Sequence, residues 1–433
     1  MFHPEIQAAQ TRLQPLWQSF DAVCQQAFNR ILQGMINARV SEACFASVSG
    51  YGHNDVGREA MDDVFAHAFE AEAALVRPQI VSGTHAISIA LNGCLRAGDT
   101  LLSITGAPYD TLEPVIGINL PEGEAPAPRS LVGQGVRYQE INLLRPASQD
   151  SQASQDVDAL HGWRLNTDLS PEDVAQLKNA RVVLIQRSRG YSARPALLIE
   201  EIRELCALVK THQPNAVIFV DNCYGEFIAE HEPCAVGADL IAGSLIKNPG
   251  GGIVPAGGYI AGKREWVEKA ADVLTCPGIG SEGGYTFHQT RLILQGLFLA
   301  PGVVKEALMG MSLLAAVFEA QGYETAPKVE AKRGDIIQAI RLGSPETMLA
   351  LCKQIQAASP VNAYLTPEAA KFPGYQHPVV MAGGTFIDGS SIELSADGPL
   401  RPPYTLYAQG GLTVSHVRYM LEAFLSDSGL KQA

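Results

Sequence analysis

Short apolar segments alternate with longer amphipathic ones between residues 60 and 310, and this alternation constrains the fold of the 433-residue chain more than any other feature. The apolar segments include ARVVLIQRS, NAVIFVDN and ADLIAGSL, and a helix-like stretch, LIEEIRELCALVKTH, separates the first two. Continuous apolar strands that alternate with helices are typical of a mainly parallel sheet covered on both faces. We therefore predict an α/β fold for this part of the chain.

Two further regions flank the alternating part. Residues 4–39 carry apolar side chains near helical spacing, which predicts a long helix, and a glycine-containing loop follows at residues 47–58. After residue 310 the pattern resembles a smaller α+β unit, as in RGDIIQAIRLG. We predict an N-terminal arm and loop at 1–59, a large domain at 60–310 and a small C-terminal domain at 311–433.

The charge balance narrows the range of partners. The chain has 32 Lys and Arg residues against 45 Asp and Glu residues, a formal net charge of −13. Because this excess repels polyanions, neither nucleic acid nor an anionic membrane surface is an expected partner. The uninterrupted apolar runs, such as residues 217–220, are much shorter than the roughly 20 residues of a membrane-spanning helix.

Cysteine usage and the N-terminus indicate the compartment. The eight cysteines are scattered and form no C-x-x-C pair, and the first residues lack the basic start and apolar core of a secretory signal. These features predict a reduced, cytoplasmic protein. No clustered Cys and His ligand set is present, so no metal site is predicted.

A candidate phosphate site lies at residues 82–84. Ser82, Gly83 and Thr84 follow a strand-like segment and open a helical one. Free backbone amides at a helix N-terminus bind anions, glycine allows a close approach, and the two hydroxyls can donate. The alternative is that Ser82 or Thr84 only caps the helix.

Three other candidates follow predicted strands. Asp221 ends the strand AVIFVD and could bind a metal, a ribose or a pyridinium nitrogen, or could cap a helix. Lys247 precedes a glycine-rich turn, where burial would lower its pKa and allow imine formation, unless it is a solvated surface lysine. Tyr109 follows the strand DTLLSIT and could stack on a flat ring or pack in the core.

The order of these features along the chain is informative. A phosphate site, an aromatic residue, a strand-end Asp and then a Lys form the layout of a fold-type I pyridoxal phosphate enzyme. The chain resembles the methionine gamma-lyase-like or aluminium resistance family of cystathionine lyase-like proteins from about residue 50 to residue 415. The stretches that carry the resemblance are GYGHNDVGRE, QIVSGTHAI, TGAPYDTLE, IQRSRGYS, IFVDNCYGEF, GSLIKNPGGGI and ELSADGPLRPPY.

The resemblance implies a fold, a cofactor and roles for residues. The fold would have a mainly parallel, seven-stranded large domain and a smaller α+β C-terminal domain, and the cofactor would be pyridoxal 5′-phosphate. Lys247 would carry the cofactor as an imine and act as the base at the substrate α-carbon. Asp221 would keep the pyridine nitrogen protonated, and Tyr109 would stack on the ring and assist proton transfer. The phosphate would be held by Ser82, Gly83, Thr84 and Ser244.

The resemblance also implies a homo-oligomer and a substrate anchor. Tyr51 resembles a tyrosine that related enzymes contribute to the phosphate of a neighbouring subunit, and Arg58 in the same predicted loop is a further candidate for binding the cofactor. The catalytic unit would then be a dimer, and a tetramer is the usual assembly of the family. Arg401 is the first candidate for the substrate carboxylate, because a guanidinium can bind a carboxylate with two hydrogen bonds. Arg189 is the second candidate.

Three functions follow from these considerations. The first is a pyridoxal phosphate-dependent carbon–sulfur lyase that acts on a cystathionine-like or methionine-like amino acid by β- or γ-elimination. The second keeps the cofactor but performs transamination or an aldolase-type cleavage. The third is a non-catalytic cofactor-binding protein. The presence of Lys247, Asp221 and Tyr109 argues against the third, since a binding protein needs neither a base nor an electron sink.

Overall fold

The structure is a computed structural model that describes residues 3–120, 123–146, 160–372, 375 and 377–426. In these ranges the α-helices are α1 (Pro4–Asn37), α2 (Val56–Ala68), α3 (Gly83–Cys94), α4 (Glu113–Ile116), α5 (Pro171–Asn179), α6 (Ile199–His212), α7 (Arg264–Leu274), α8 (Thr290–Ala320), α9 (Pro345–Ala357) and α10 (Val414–Ser426). The strands are β1 (Ala73–Arg77), β2 (Thr100–Ser103), β3 (Arg137–Glu140), β4 (Leu144–Pro146), β5 (Trp163–Leu165), β6 (Val182–Gln186), β7 (Val217–Asp221), β8 (Leu240–Ser244), β9 (Gly258–Gly262), β10 (Glu324–Ala326), β11 (Ile337–Arg341), β12 (Val379–Ala382), β13 (Ser395–Pro399) and β14 (Thr405–Gln409).

The large sheet has seven strands in the order β1-β9-β8-β7-β6-β2-β3. The neighbours from β8 to β3 pair in parallel, whereas β9 is antiparallel to both β1 and β8. Every residue of β6 and β7 is buried, as expected for strands that are covered on both faces. The predicted mainly parallel, seven-stranded sheet is confirmed.

Successive side chains of the central strands enter two separate apolar clusters. Along β7, Ile218 and Val220 pack on the face that carries α2, α6 and α8, whereas Val217 and Phe219 pack on the face that carries α3 and α7. This division follows from the two-residue period of a strand. The helices therefore lie on both faces and leave the edge at the carboxyl ends of the strands free for a ligand.

The C-terminal part of the chain forms the second sheet, with five antiparallel strands in the order β10-β11-β14-β13-β12. Apolar side chains of α9 and α10 pack on this sheet, among them Met348, Leu351 and Leu421. The predicted smaller α+β unit is confirmed. The predicted N-terminal helix is also confirmed as α1, which packs along α8.

Helix α8 connects the two cores and corrects one expectation. By length and composition Thr290–Ala320 is apolar enough to cross a membrane, although its uninterrupted apolar runs are short, so the length of such runs was not a sufficient criterion. Most of its apolar window is buried, because its side chains up to Leu308 pack in the core of the large sheet and those from Met311 pack in the core of the small one. Its apolar character is therefore explained by the position between two cores.

Candidate active site

The carboxyl ends of β6, β7 and β8 lie side by side, because Gln186 pairs with Asp221 and Asp221 pairs with Ala242. Ligands of open α/β sheets bind in the crevice outside such strand ends. A cavity of about 230 Å³ opens there, and we call it the strand-edge cavity. Its lining includes seven of the residues that the sequence predicts for a cofactor site: Ser82, Gly83, Thr84, Tyr109, Asp221, Ser244 and Lys247.

The N-terminus of α3 forms one end of the strand-edge cavity. The Ser82 hydroxyl caps the helix by accepting a hydrogen bond from the backbone N–H of His85, at 3.1 Å, and the hydroxyls of Thr84 and Thr111 lie 2.9 Å apart. A Cβ atom on Gly83 would lie 3.3 Å from the Sγ atom of Cys223. Glycine at this position therefore keeps the helix N-terminus close to β7 and β8 without crowding the cavity.

Asp221 supplies a buried carboxylate at the end of β7. Only 6% of the residue is exposed, and its Oδ1 atom accepts a hydrogen bond from the backbone N–H of Cys223 at 3.2 Å. Burial raises the pKa of Asp221, while the nearby charge of Lys247 acts to lower it. Such a group is suited to pair with a cationic ring nitrogen, since a buried carboxylate is stabilised by an opposite charge.

Lys247 follows β8, and its Nζ atom lies 4.0 Å from the centre of the Tyr224 ring. Burial acts to lower the pKa of Lys247, but interactions with Cys223, Tyr224 and Asp221 outweigh it and raise the pKa above its ordinary value. The predicted lowering of the pKa is therefore wrong for the protein alone. The sequence pattern indicated the burial but not the acidic neighbours that counter it.

Tyr109 lines the same cavity as Lys247 and contacts two residues that the sequence did not indicate, Gln186 and Tyr375. Its backbone N–H donates to Oε1 of Gln186 at 2.6 Å, and its hydroxyl lies 3.0 Å from that of Tyr375. Burial raises the pKa of Tyr109 well above its usual value, so the phenol stays protonated at neutral pH. Gln186 ends β6, a position that could have identified it, whereas Tyr375 is brought in from the C-terminal part without a local sequence signal.

Tyr51 and Arg58 lie outside the strand-edge cavity. Arg58 is buried, and its guanidinium donates to the backbone carbonyls of Gly52, Glu282 and Gly284. These bonds fix the segment of residues 47–58. The predicted loop ends earlier than expected, at Asp55, because residues 56–58 already belong to the first turn of α2; we keep the name loop of residues 47–58 for the loop together with this turn. Tyr51 is 72% exposed on that loop, so neither residue contributes to the cavity of its own chain.

The two candidate arginines lie in different places. Arg401 is exposed and lines a small cavity of about 110 Å³ that shares Tyr375 with the strand-edge cavity. Its guanidinium has no hydrogen-bond or ion-pair partner in the part of the chain that the structure describes. Arg189 is buried and donates to backbone carbonyls of Ala193, Arg194 and Ala326. It lines a separate cavity and does not reach the strand-edge cavity.

The fold and the lining of the strand-edge cavity define a class. A helix N-terminus with hydroxyls, a buried carboxylate, a half-buried lysine and a tyrosine line one cavity, and these groups fit the phosphate, the ring nitrogen, the aldehyde and the ring face of pyridoxal phosphate. The fold is that of the fold-type I pyridoxal phosphate enzymes. The pyridoxal-5′-phosphate-dependent protein YhfS from Escherichia coli shares it at 15% identity, with a TM-score of 0.58 over 94% of this chain and 97% of that chain.

Closer similarities identify the family. The methionine gamma-lyase family model matches residues 3–428, and the chain belongs to that family, which together with the fold implies pyridoxal phosphate as cofactor. The uncharacterized protein YnbB of Bacillus subtilis (strain 168) is 48% identical over 389 residues, which cover 90% of this chain and 87% of YnbB. The structure of a carbon-sulfur lyase involved in aluminum resistance from Clostridium novyi NT is 42% identical, with a TM-score of 0.86 over 97% of this chain and 95% of that chain.

Proposed function

We propose that this protein is a pyridoxal phosphate-dependent carbon–sulfur lyase that acts on a sulfur amino acid of the cystathionine or methionine type. The observation that carries the proposal is the convergence of Lys247, Asp221, Tyr109 and the N-terminus of α3 on one cavity. The description of the Clostridium novyi relative as a carbon-sulfur lyase supports the same reaction class.

The bound cofactor supplies an electron sink that stabilises negative charge at the substrate α-carbon. Asp221 would hold a proton on the ring nitrogen, because its buried carboxylate needs a positive partner. Lys247 would hold the cofactor through Nζ and, when displaced by the substrate amine, would accept the α-proton. Ser82, Gly83, Thr84 and Ser244 would bind the phosphate at the opposite end of the cavity.

The hydroxyl of Tyr109 favours an elimination reaction in this site. A departing sulfur needs a proton, and the Tyr109 hydroxyl lies in the same cavity to donate it. Because burial raises the pKa of Tyr109, the proton is present at neutral pH but is held more tightly than in a free phenol. The Tyr375 hydroxyl, 3.0 Å away, can return a proton to Tyr109 after each turnover. A transaminase releases no leaving group from the substrate side chain, so a proton donor at this position favours elimination.

Arg401 is the proposed anchor of the substrate carboxylate. Its small cavity shares Tyr375 with the strand-edge cavity. The carboxylate of Asp110 in the same small cavity interacts electrostatically with Arg401, but the guanidinium forms no hydrogen bond or ion pair within the described ranges. Asp397, which could have paired with it on the surface, instead accepts a hydrogen bond from Gln409 at 3.2 Å. A bidentate guanidinium would fix the orientation of the bond that breaks at the α-carbon.

We further propose that the active unit is a homodimer in which Tyr51 reaches the phosphate site of the partner. The loop of residues 47–58 is hydrogen-bonded to residues 282–288, for example between the hydroxyls of Ser47 and Thr286 at 3.0 Å. Tyr51, Val56, Val81 and Phe287 are all more than half exposed. Large apolar side chains that are exposed together mark an interaction surface, and a second copy of the chain would cover them.

A substrate panel tests the proposed reaction. The purified protein with pyridoxal phosphate is incubated with cystathionine, methionine, cysteine, serine and alanine, and keto acid, ammonia and thiol are quantified. We expect equal amounts of keto acid and ammonia together with a thiol from at least one sulfur amino acid, and none of these from Lys247→Ala. Transfer of the amino group to a keto acid without thiol release, or no turnover of any sulfur substrate, would refute the lyase assignment.

A further inference from the structure

A second cavity, of about 270 Å³, lies between the large sheet and the C-terminal part, and we call it the interlobe cavity. Its walls are the loop that follows β6, the chain between β10 and β11, and residues 160–163. Arg189, Lys328 and Lys332 line it together with one carboxylate, that of Asp335. The proposed reaction uses none of these residues, although Arg189 was the second candidate for binding the substrate carboxylate in the sequence analysis.

Arg189 forms the buried part of the cationic wall of the interlobe cavity, whereas Lys328 and Lys332 are exposed. Arg189 is 2% exposed, and its Nε atom has no hydrogen-bond partner in the described part of the chain, since only its two Nη atoms reach carbonyls. Arg194 and Arg333 lie close by and are also buried. Burial, together with the charge of Arg189, lowers the pKa of each of these two arginines to about 10.

The nearby acidic groups balance these charges only in part. The carboxylate of Asp335 is shared among Arg189, Arg194 and Arg333, while Glu201 acts on Arg194 and Glu319 acts on Arg333. Asp335 already accepts hydrogen bonds from the Ser188 hydroxyl at 3.1 Å and from the backbone N–H of Ile337 at 3.0 Å. Lys332 pairs with Glu200 at the surface, while the Lys328 ammonium has no partner among the residues described. Because buried unpaired charge is costly, a wall with this excess of cations is suited to an anion.

Glu324 and His161 complete the electrostatic surroundings. Glu324 forms an ion pair with Arg341 at 2.9 Å and lies 3.8 Å from Nε2 of His161. Burial lowers the pKa of His161, and Lys328 lowers it further, so the imidazole adds no charge at neutral pH. The positive potential of the cavity therefore comes from its arginines and lysines.

We propose that the interlobe cavity binds a small anionic ligand that carries a carboxylate or a phosphate group. The Nε–H of Arg189 would donate to it from the buried wall, and Lys328 and Lys332 would hold it from the exposed side. The site is separate from the strand-edge cavity but adjoins it along the chain. Ser188 and Gly190 line the strand-edge cavity, whereas Arg189 between them lines the interlobe cavity. A ligand that fixes this segment would couple the two sites.

Calorimetry and thermal unfolding test the proposal with two probes, inorganic phosphate and succinate, at an ionic strength held constant with chloride. Lys328→Met removes one charge from the exposed side of the cavity, and Lys353→Met, at an exposed position on α9, is the matched control. Phosphate that binds instead at the N-terminus of α3 would be insensitive to Lys328. A response to phosphate but not to succinate would identify a phosphate ligand, and the reverse a carboxylate.

We expect saturable binding of at least one probe and a ligand-dependent rise in the melting temperature. Lys328→Met should weaken that binding about fivefold without lowering the melting temperature of the free protein, and Lys353→Met should change neither quantity. Arg189→Lys should weaken the binding further, since a lysine does not reproduce the position of the Nε–H. Absence of saturable binding above the chloride reference, or equal binding by Lys328→Met and the native protein, would overturn the proposal.

Discussion

The strand-edge cavity and the loop of residues 47–58 differ in how they acquire their chemistry. In the cavity, strand ends and the N-terminus of α3 bring Asp221 and Lys247 together within one chain, where Asp221 is buried and Lys247 is half-buried. In the loop, the Arg58 guanidinium donates hydrogen bonds to backbone carbonyls, and Tyr51 extends into solvent. The comparison supports the proposals that one chain builds the reactive centre and that the loop serves a second copy.

The difference has a physical cause. Parallel register places successive strand ends at the same edge of a sheet, so side chains that follow β6, β7 and β8 meet without help from another subunit. The loop instead depends on the Arg58 guanidinium and on hydrogen bonds to residues 282–288. It is rigidly held but directed outward.

The largest effect is expected from the removal of Asp221, which lines the strand-edge cavity of its own chain. This change tests whether one chain builds the reactive centre. Asp221→Ala removes the charge partner of the cofactor ring, and turnover should fall about 10²–10³-fold, as for other single electrostatic contacts in active sites. Asp221→Asn keeps the size of the side chain and should lose activity similarly. The rate of keto acid formation is measured alongside far-UV circular dichroism.

Asp63→Ala, at an exposed position on α2, is the control for Asp221→Ala and should retain normal turnover. Near-normal turnover of folded Asp221→Ala would mean that the buried carboxylate at the end of β7 has no part in the reaction.

A smaller effect is expected at Arg401, which borders the cavity from the C-terminal part of the chain. Arg401→Lys replaces two parallel hydrogen bonds by a point charge, and KM should rise about 10- to 150-fold while the cofactor absorbance stays unchanged. Steady-state kinetics with the best substrate of the panel measure the effect, with the exposed Arg129→Lys as control. If Arg189→Lys raised KM and Arg401→Lys did not, Arg189 would be the anchor.

The smallest effect is expected at Tyr51. It tests whether the loop and the strand-edge cavity of one active site come from different subunits. Tyr51→Phe should lower activity about tenfold through the loss of one hydrogen bond to a charged acceptor. Hybrids of Tyr51→Phe with Lys247→Ala should regain about half of the native activity, since one site then has both an intact lysine and an intact tyrosine. Tyr364→Phe, at an exposed position, is the matched control.

Hybrids of Asp221→Ala with Lys247→Ala provide the counterpart. Both residues belong to the cavity of one chain, so no hybrid site is intact and no activity should return. Recovery in this pair, or none in the pair with Tyr51→Phe, would contradict the division between the two regions.

Much of the fold and part of the site follow from local patterns. The strand that ends at Asp221 and the helix that begins after Ser82 are confirmed because apolar runs and capping residues act over a few positions. Tyr375 was missed because it meets Tyr109 across 266 positions of sequence. The contacts of Arg189 could not be predicted from local sequence patterns either, because one of its carbonyl partners, Ala326, lies in β10.

Borohydride reduction followed by peptide mapping tests the central claim most directly. The protein purified with pyridoxal phosphate is reduced, digested and analysed by mass spectrometry, with Lys247→Ala treated in parallel. We expect the cofactor on the peptide that contains Lys247 and on no peptide of the variant. A label on another lysine of the native protein, or a native protein that cannot be labelled after incubation with the cofactor, would contradict the assignment of this cavity as a pyridoxal phosphate site.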